Sequence, residues 1–149
     1  MRKVAVIGSS GAIGSAFVDH YINDQSINSI FSFSRSSIGI DNNKVKHFSI
    51  DIENENSVQD AAKSVEEINF DEIIIASGLL HTNEFGPEKS IKDLKADNIL
   101  KILNVNTVGP AIIGKHFLPL LKKDNKSVMA FLSARVGSIS ENKLGGWYA

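Results

Sequence analysis

The sequence predicts an α/β protein built on a doubly wound parallel sheet, and three observations predict it. The stretch Lys3 to Ile22 passes from an apolar run, Val4-Ala5-Val6-Ile7, through Gly8, Gly11 and Gly14 into residues with helical spacing. Further apolar runs recur near 29–34, 45–50, 72–76 and 128–132, separated by polar loops and amphipathic segments. The first run is apolar on both faces, as a strand buried between two helical layers must be. With right-handed crossovers, the strand order is expected to be 3-2-1-4-5.

The spacing G-x-x-G-x-x-G after the first strand has a physical reading. Gly8 lets the chain turn off the strand, Gly11 lets the backbone approach a pyrophosphate, and Gly14 lets the helix pack closely on the strand. The helix that follows presents free N–H groups and a positive dipole end to an anion. Its expected apolar face is Ile13, Phe17, Val18, Tyr21 and Ile22. Three glycines alone would also suit a plain strand-to-helix turn; their place after a strand and before a helix, with a second strand and a candidate ribose reader about twenty residues on, favours dinucleotide binding.

The second strand carries Ile30, Phe31 and Phe33 and ends at Ser34-Arg35-Ser36; the third closes on Asp51-Ile52. Ser57 is placed to cap a helix reaching about Ile68, with Val58, Ala61, Ala62, Val65 and Ile68 on one face. The fourth strand, Ile73-Ile74-Ile75, runs into Ser77-Gly78, and the longest irregular connection spans Leu79 to about Ile91. A long helix then runs from Asp93–Asp97 toward Leu121, with Ile99, Ile102, Leu103, Ile113, Phe117, Leu120 and Leu121 as its stripe. Pro110 falls inside it, so a kink is expected near Asn106 and Gly109. The fifth strand ends at Ser133, and the remainder reads as loop.

Composition narrows the function classes. With 16 basic and 17 acidic residues and no basic block, nucleic acid is not an expected partner. There is no cysteine, and His20, His47, His81 and His116 lie too far apart for a metal-ligand spacing, so no metal is expected. The chain enters its first strand at once and no apolar run approaches a membrane span, so no membrane and a cytoplasmic address are expected. No linker, repeat or low-complexity tract divides residues 1–149, which are read as one domain.

The end of the second strand bears on the cofactor. An acidic residue there takes the ribose hydroxyls of NAD, whereas this chain offers Arg35 between Ser34 and Ser36. A carboxylate would repel a 2′-phosphate and Arg35 would bind it, which favours NADP(H), with NAD(H) as the alternative. An ordinary solvated arginine is the competing reading.

Gly8 to Gly14, Asp51-Ile52, Ala76-Ser77-Gly78, Asn104-Val105-Asn106 with Gly109-Pro110, and Ser133 followed by a glycine occur in this order along the chain. Together they resemble the short-chain dehydrogenase/reductase family, with its Rossmann-type fold. The run Ser133-Ala134-Arg135-Val136-Gly137-Ser138-Ile139 and the ending Gly145-Gly146-Trp147-Tyr148-Ala149 further resemble its C-factor or Sniffer-like carbonyl reductase branch. Two departures stand out: the asparagines of the family's N-N-A-G turn are absent, and Ala12 replaces the middle glycine of the commonest spacing.

The resemblance implies roles for particular residues. Gly8, Ser10, Gly11, Ile13 and Gly14 would hold the pyrophosphate, Arg35 the 2′-phosphate, Asp51 and Ile52 the adenine, with Ala76 and Gly78 at the turn after the fourth strand. Asn106 matches the asparagine that holds a relay water, with an exposed polar helix residue as the bland reading. Ser133 matches the serine that hydrogen-bonds the substrate oxygen, with Ser138 as the alternative. The family's catalytic Tyr-x-x-x-Lys would follow Ala149, and Tyr148 has no lysine four residues on, so the expectation is an N-terminal portion that ends before the later strands.

The function implied is an NADP(H)-dependent oxidoreductase acting on a small-molecule carbonyl or alcohol, forming a homo-oligomer when full length, while these 149 residues alone would be inactive. A non-catalytic dinucleotide-binding or signalling protein that naturally ends here is the alternative. A nucleotide-sugar epimerase is a third reading, suggested by the glycine spacing.

Overall fold

A computed structural model of the chain describes residues 1–140 apart from 38, 89, 135, 136 and 139. Five parallel strands, β1 (Arg2–Ile7), β2 (Ile27–Ser34), β3 (Val45–Ser49), β4 (Glu72–Ile75) and β5 (Val128–Phe131), form one sheet in the order β3-β2-β1-β4-β5. This is the expected order. It places the reversal of strand direction in sequence between β1 and β4, where open α/β sheets take their ligands.

Alternation along β1 divides the core. Val4 and Val6 face α1 (Ala12–Asn23), packing with Val18, Tyr21, Ile27, Ile30 and Ile74. Ala5 and Ile7 face the opposite layer, made by α2 (Glu55–Lys63) and α4 (Gly109–Phe117), with Val58, Ala61, Ile113 and Phe117. Phenylalanines knit that second layer: Phe31 meets Phe70 edge-on at 5.1 Å between ring centres, and Phe33 meets Phe117 in the same way at 5.3 Å. Such edge-to-face pairs add about 0.5–1.5 kcal/mol each to the burial of their area.

Several expected details are corrected. Ile13 is 59% exposed and does not belong to the buried face of α1, which is Gly14, Val18 and Tyr21. The residue capping α2 is Asn54, whose side chain accepts from the N–H groups of Asn56 and Ser57, and the helix stops at Lys63 rather than Ile68. Ser57 instead turns its hydroxyl back to accept from the N–H of Asp51 at 2.9 Å, steadying the turn after β3.

The long helix is divided as Pro110 predicts. α3 (Ala96–Leu103) passes into a π-helical turn, Asn104–Val108, before α4, and a 3-10 turn, Leu118–Leu120, ends the segment. In the π turn the N–H of Gly109 reaches the carbonyl of Asn104, one residue further than an α-helix allows. Pro110 has no N–H to give, so the wider turn absorbs the missing bond. Gly109 also lets the segment approach the turn after β3: a Cβ there would lie 3.3 Å from the Ile52 carbonyl oxygen.

Candidate functional site

The site is built where β1 ends. Gly8 has φ +86°, a left-handed conformation that side-chain-bearing residues rarely adopt, and its N–H donates to the Phe33 carbonyl on β2 at 2.9 Å. A Cβ on Gly8 would stand 2.8 Å from the backbone nitrogen of Ser77, so the turn lies directly against the end of β4. A Cβ on Gly14 would stand 2.1 Å from the Gly8 carbonyl oxygen, so helix α1 touches the turn only because that position is bare. Gly11 is different: its added Cβ would meet only the Gly8 oxygen, at 3.4 Å. Two glycines therefore serve the fold itself, and the third leaves its outer side open to a ligand.

Helix α1 begins at Gly11 with no side chain capping its first N–H groups. Uncapped amides and the positive end of the helix favour an anion by about 0.3–2 kcal/mol. In front of them lies a cavity of about 350 Å³ at the C-terminal ends of the strands, lined among others by Gly8, Ser10, Gly11, Arg35, Asp51 and Gly78. Ile52 and Ala76 line it too, so eight of the thirteen residues singled out in the sequence meet at one cavity. Ile13, Gly14, Asn106, Ser133 and Ser138 do not line it.

Arg35 is exposed beyond the end of β2, and no hydrogen bond or ion pair engages its guanidinium among the described residues. Ser34 is 4% exposed and donates its hydroxyl to the Ser36 carbonyl at 2.7 Å, which shapes the turn and removes it as a free donor. Asp51, which also lines the cavity, is held in place: its N–H donates to Ser57, and its carboxylate accepts from the N–H of Glu53 at 3.1 Å.

Asn106 sits in the π turn with both ends of its amide engaged. Its oxygen accepts from the N–H of Leu79 at 2.7 Å and its nitrogen donates to the Leu79 carbonyl at 2.8 Å. The amide thereby replaces a neighbouring strand for the backbone just beyond β4. The exposed-helix reading is overturned, since Asn106 is only partly exposed and fixes the loop that borders the cavity. Ser133 follows β5, exposed and without a hydrogen-bond partner for its hydroxyl among the described residues. Ser138 shares a hydrogen bond with Ser140 at 3.1 Å. Arg135, Val136, Ile139 and the run 145–149, with Trp147 and Tyr148, lie outside the described residues.

Three features of the site escape sequence reading. Glu53 accepts from Lys101 at 2.6 Å and from Asn104 at 3.3 Å, tying the turn after β3 to α3 across the cavity wall. Ser9, wholly buried, bonds Ser32 at 3.0 Å and the Phe33 carbonyl at 3.2 Å, locking the glycine turn to β2. Ser77 lines the cavity, yet its hydroxyl oxygen is buried with no hydrogen-bond partner among the described residues. A buried unpaired hydroxyl costs about 1–3 kcal/mol, so a polar ligand that could answer it fits here. None of the three has a spacing that marks it; only the folded chain brings the partners together.

Fold and site thus define an α/β protein with a polar, anion-favouring cavity at the topological switch point of its sheet. Its structural relatives are short-chain dehydrogenases and carbonyl reductases. The NADPH-bound carbonyl reductase from chicken fatty liver superposes with a TM-score of 0.83 at 22% identity, over 97% of this chain and 61% of that one. A Caenorhabditis elegans protein assigned as the carbonyl reductase Sniffer gives 0.80 at 21% identity, over 95% of this chain and 66% of its own. In sequence, the UDP-glucose 4-epimerase of Rickettsia bellii (strain OSU 85-389) is 30% identical over 126 residues, 75% of this chain. The chain spans 36% of the length of that relative. No protein-family model matches the sequence. Among the described residues no helix is long and apolar enough to cross a membrane, and no cluster of three or more potential metal ligands occurs.

Proposed function

We propose that this chain is the dinucleotide-binding domain of an NADP(H)-dependent oxidoreductase of the short-chain dehydrogenase/reductase type, interconverting a carbonyl and an alcohol. The observation that carries the reading is one cavity lined by the glycine turn, Arg35 and the Asp51-Ile52 turn together. In it Gly8, Ser10 and Gly11 would hold the pyrophosphate, and Ile13 and Gly14, outside the lining, would add the first-turn amides of the helix. Arg35 would take the 2′-phosphate, Asp51 and Ile52 the adenine, and Ala76 and Gly78 the turn beside the far half. Bound there, the dinucleotide supplies or accepts the hydride.

The chain's own residues prepare the rest. The side chain of Asn106 is engaged by Leu79, and its main-chain carbonyl, which Pro110 has no N–H to occupy, would be the group that holds a water. Ser133 offers an unengaged hydroxyl at the end of β5, where a substrate oxygen would be met; the bond between Ser138 and Ser140 makes Ser138 the weaker choice. No Tyr-x-x-x-Lys occurs in the 149 residues, so the test reads binding rather than turnover.

Calorimetric titration of the chain is expected to show NADPH bound about tenfold or more tightly than NADH, the value of a charge-assisted hydrogen bond to the 2′-phosphate. Arg35→Ala should erase the difference without lowering stability. Equal affinities in the unaltered chain would make Arg35 a solvated surface residue and return the cofactor to NAD(H). The 30% identity with the epimerase favours a second reading, a site for a nucleotide sugar. Binding of UDP-glucose without binding of either dinucleotide would establish it over the first.

A further inference from the structure

We propose that Ser77 is a ligand-contacting residue whose hydroxyl answers a ribose hydroxyl in the non-adenine half of the dinucleotide. This rests on the dinucleotide reading and assigns a contact within it. The backbone around Ser77 is held on every side: Ala76 N–H donates to the Ile7 carbonyl at 2.8 Å, and Leu79 is clamped by Asn106. The nitrogen of Ser77 itself lies where a Cβ on Gly8 would come within 2.8 Å. The side-chain hydroxyl of Ser77 is not so held. Its oxygen is buried and has no hydrogen-bond partner among the described residues, whereas Ser9, the comparable buried serine of the glycine turn, is bonded to both Ser32 and Phe33.

Rotation about one bond moves a serine hydroxyl between staggered positions, and Ser77 borders the cavity, so such a turn brings the oxygen from the interior to the ligand. Strand order decides which part of the ligand it meets. Arg35 follows β2 and Asp51 follows β3, both on one side of β1, while Ser77 follows β4 on the other. A dinucleotide held by its 2′-phosphate at Arg35 and by its pyrophosphate at the glycine turn therefore passes over Ser77 with its other ribose. The hydroxyl is unpaired without the ligand and paired with it, which makes it a reporter of that half alone.

The experiment compares the unaltered chain with Ser77→Ala by calorimetry, using NADPH and the adenine-half fragment 2′,5′-ADP, and by thermal unfolding without ligand. The expected result is NADPH affinity lowered about 3- to 10-fold, the worth of one ligand hydrogen bond, unchanged 2′,5′-ADP affinity, and a ligand-free Tm unchanged or raised. A lowered Tm with unaltered NADPH affinity would show the hydroxyl bonded within the fold and overturn the assignment. Equal weakening of both ligands would overturn it as well. If NADPH binds and Ser77→Ala leaves it untouched, the dinucleotide reading stands and the assignment fails; if the unaltered chain binds neither ligand, both fall.

Discussion

At the N-terminal end of the sheet the charged and polar side chains engage one another, whereas at the C-terminal end several stand open toward the cavity. Asp71, just before β4, accepts from the Lys3 N–H at 2.7 Å and from Lys122 at 2.6 Å, and so staples β1 and the segment entering β5 to β4. Glu72 accepts from Arg2 and from the Tyr21 hydroxyl, each at 2.6 Å, joining β4 to β1 and to α1. Arg35, the first amides of α1 and the Ser77 hydroxyl have no such partners among the described residues. One end therefore stabilises the fold, and the other leaves polar groups unsatisfied among the described residues. The Glu53–Lys101 ion pair also lies at the cavity, where it ties the turn after β3 to α3.

The sharpest way to break this contrast is at the glycine turn, which both ends depend on. Gly14→Ala places a methyl 2.1 Å from a backbone oxygen with no flexible side chain to yield, and overpacking of that kind costs about 3 kcal/mol or more. Urea denaturation should show that loss or an unfolded chain. Gly11→Ala, which meets nothing closer than 3.4 Å, should unfold like the unaltered chain while binding NADPH more weakly. If the two variants were equally destabilised, the division between a folding glycine and a ligand glycine would be wrong.

At the opposite end, Asp71→Asn should cost about 1.5–3 kcal/mol by loss of charge-assisted bonds and leave NADPH affinity unchanged. Burial alone would raise the Asp71 carboxyl, but the bonds from Lys122 and from the Lys3 N–H outweigh it and hold it below the usual carboxylate range. A depressed folded value means stability that is present above the unfolded pKa of about 3.9 and lost as pH falls through the folded one. Denaturation midpoints measured from pH 6 down to pH 2 should fall less steeply for Asp71→Asn. A parallel decline in both proteins would remove Asp71 from the account.

The smallest effect is expected at Tyr21. Tyr21→Phe removes one hydrogen bond of Glu72 and leaves the Arg2 bond in place, a loss of about 1 kcal/mol. Burial, reinforced by the bond to the Glu72 carboxylate, holds the Tyr21 phenol well above its ordinary value. A raised folded value gives stability that is complete below the unfolded pKa of about 10 and lost as pH rises beyond it. Stability of the unaltered chain should therefore decline above pH 10 more steeply than that of Tyr21→Phe, as read by denaturation at fixed alkaline pH.

The sequence by itself determined the order of strands, the glycine turn and the position of Arg35. Each follows from local chemistry: runs too apolar to face water, a turn that needs a left-handed residue, and a cation standing where a carboxylate is the usual ribose reader. It also determined the break in the long helix, because Pro110 lacks an N–H wherever it is placed. The tertiary structure alone decided which group each polar side chain serves. Asn54 rather than Ser57 caps α2, because Ser57 is drawn to the N–H of Asp51. Ser34 turns inward to Ser36 and Asn106 clamps Leu79, 27 positions earlier. Ile13, apolar and at helical spacing, is left in solvent because the sheet beneath α1 is reached by the turns through Gly14, Val18 and Tyr21. Hydrogen-bond partners distant in sequence are chosen by the distances that packing creates, and no spacing rule along the chain encodes those distances.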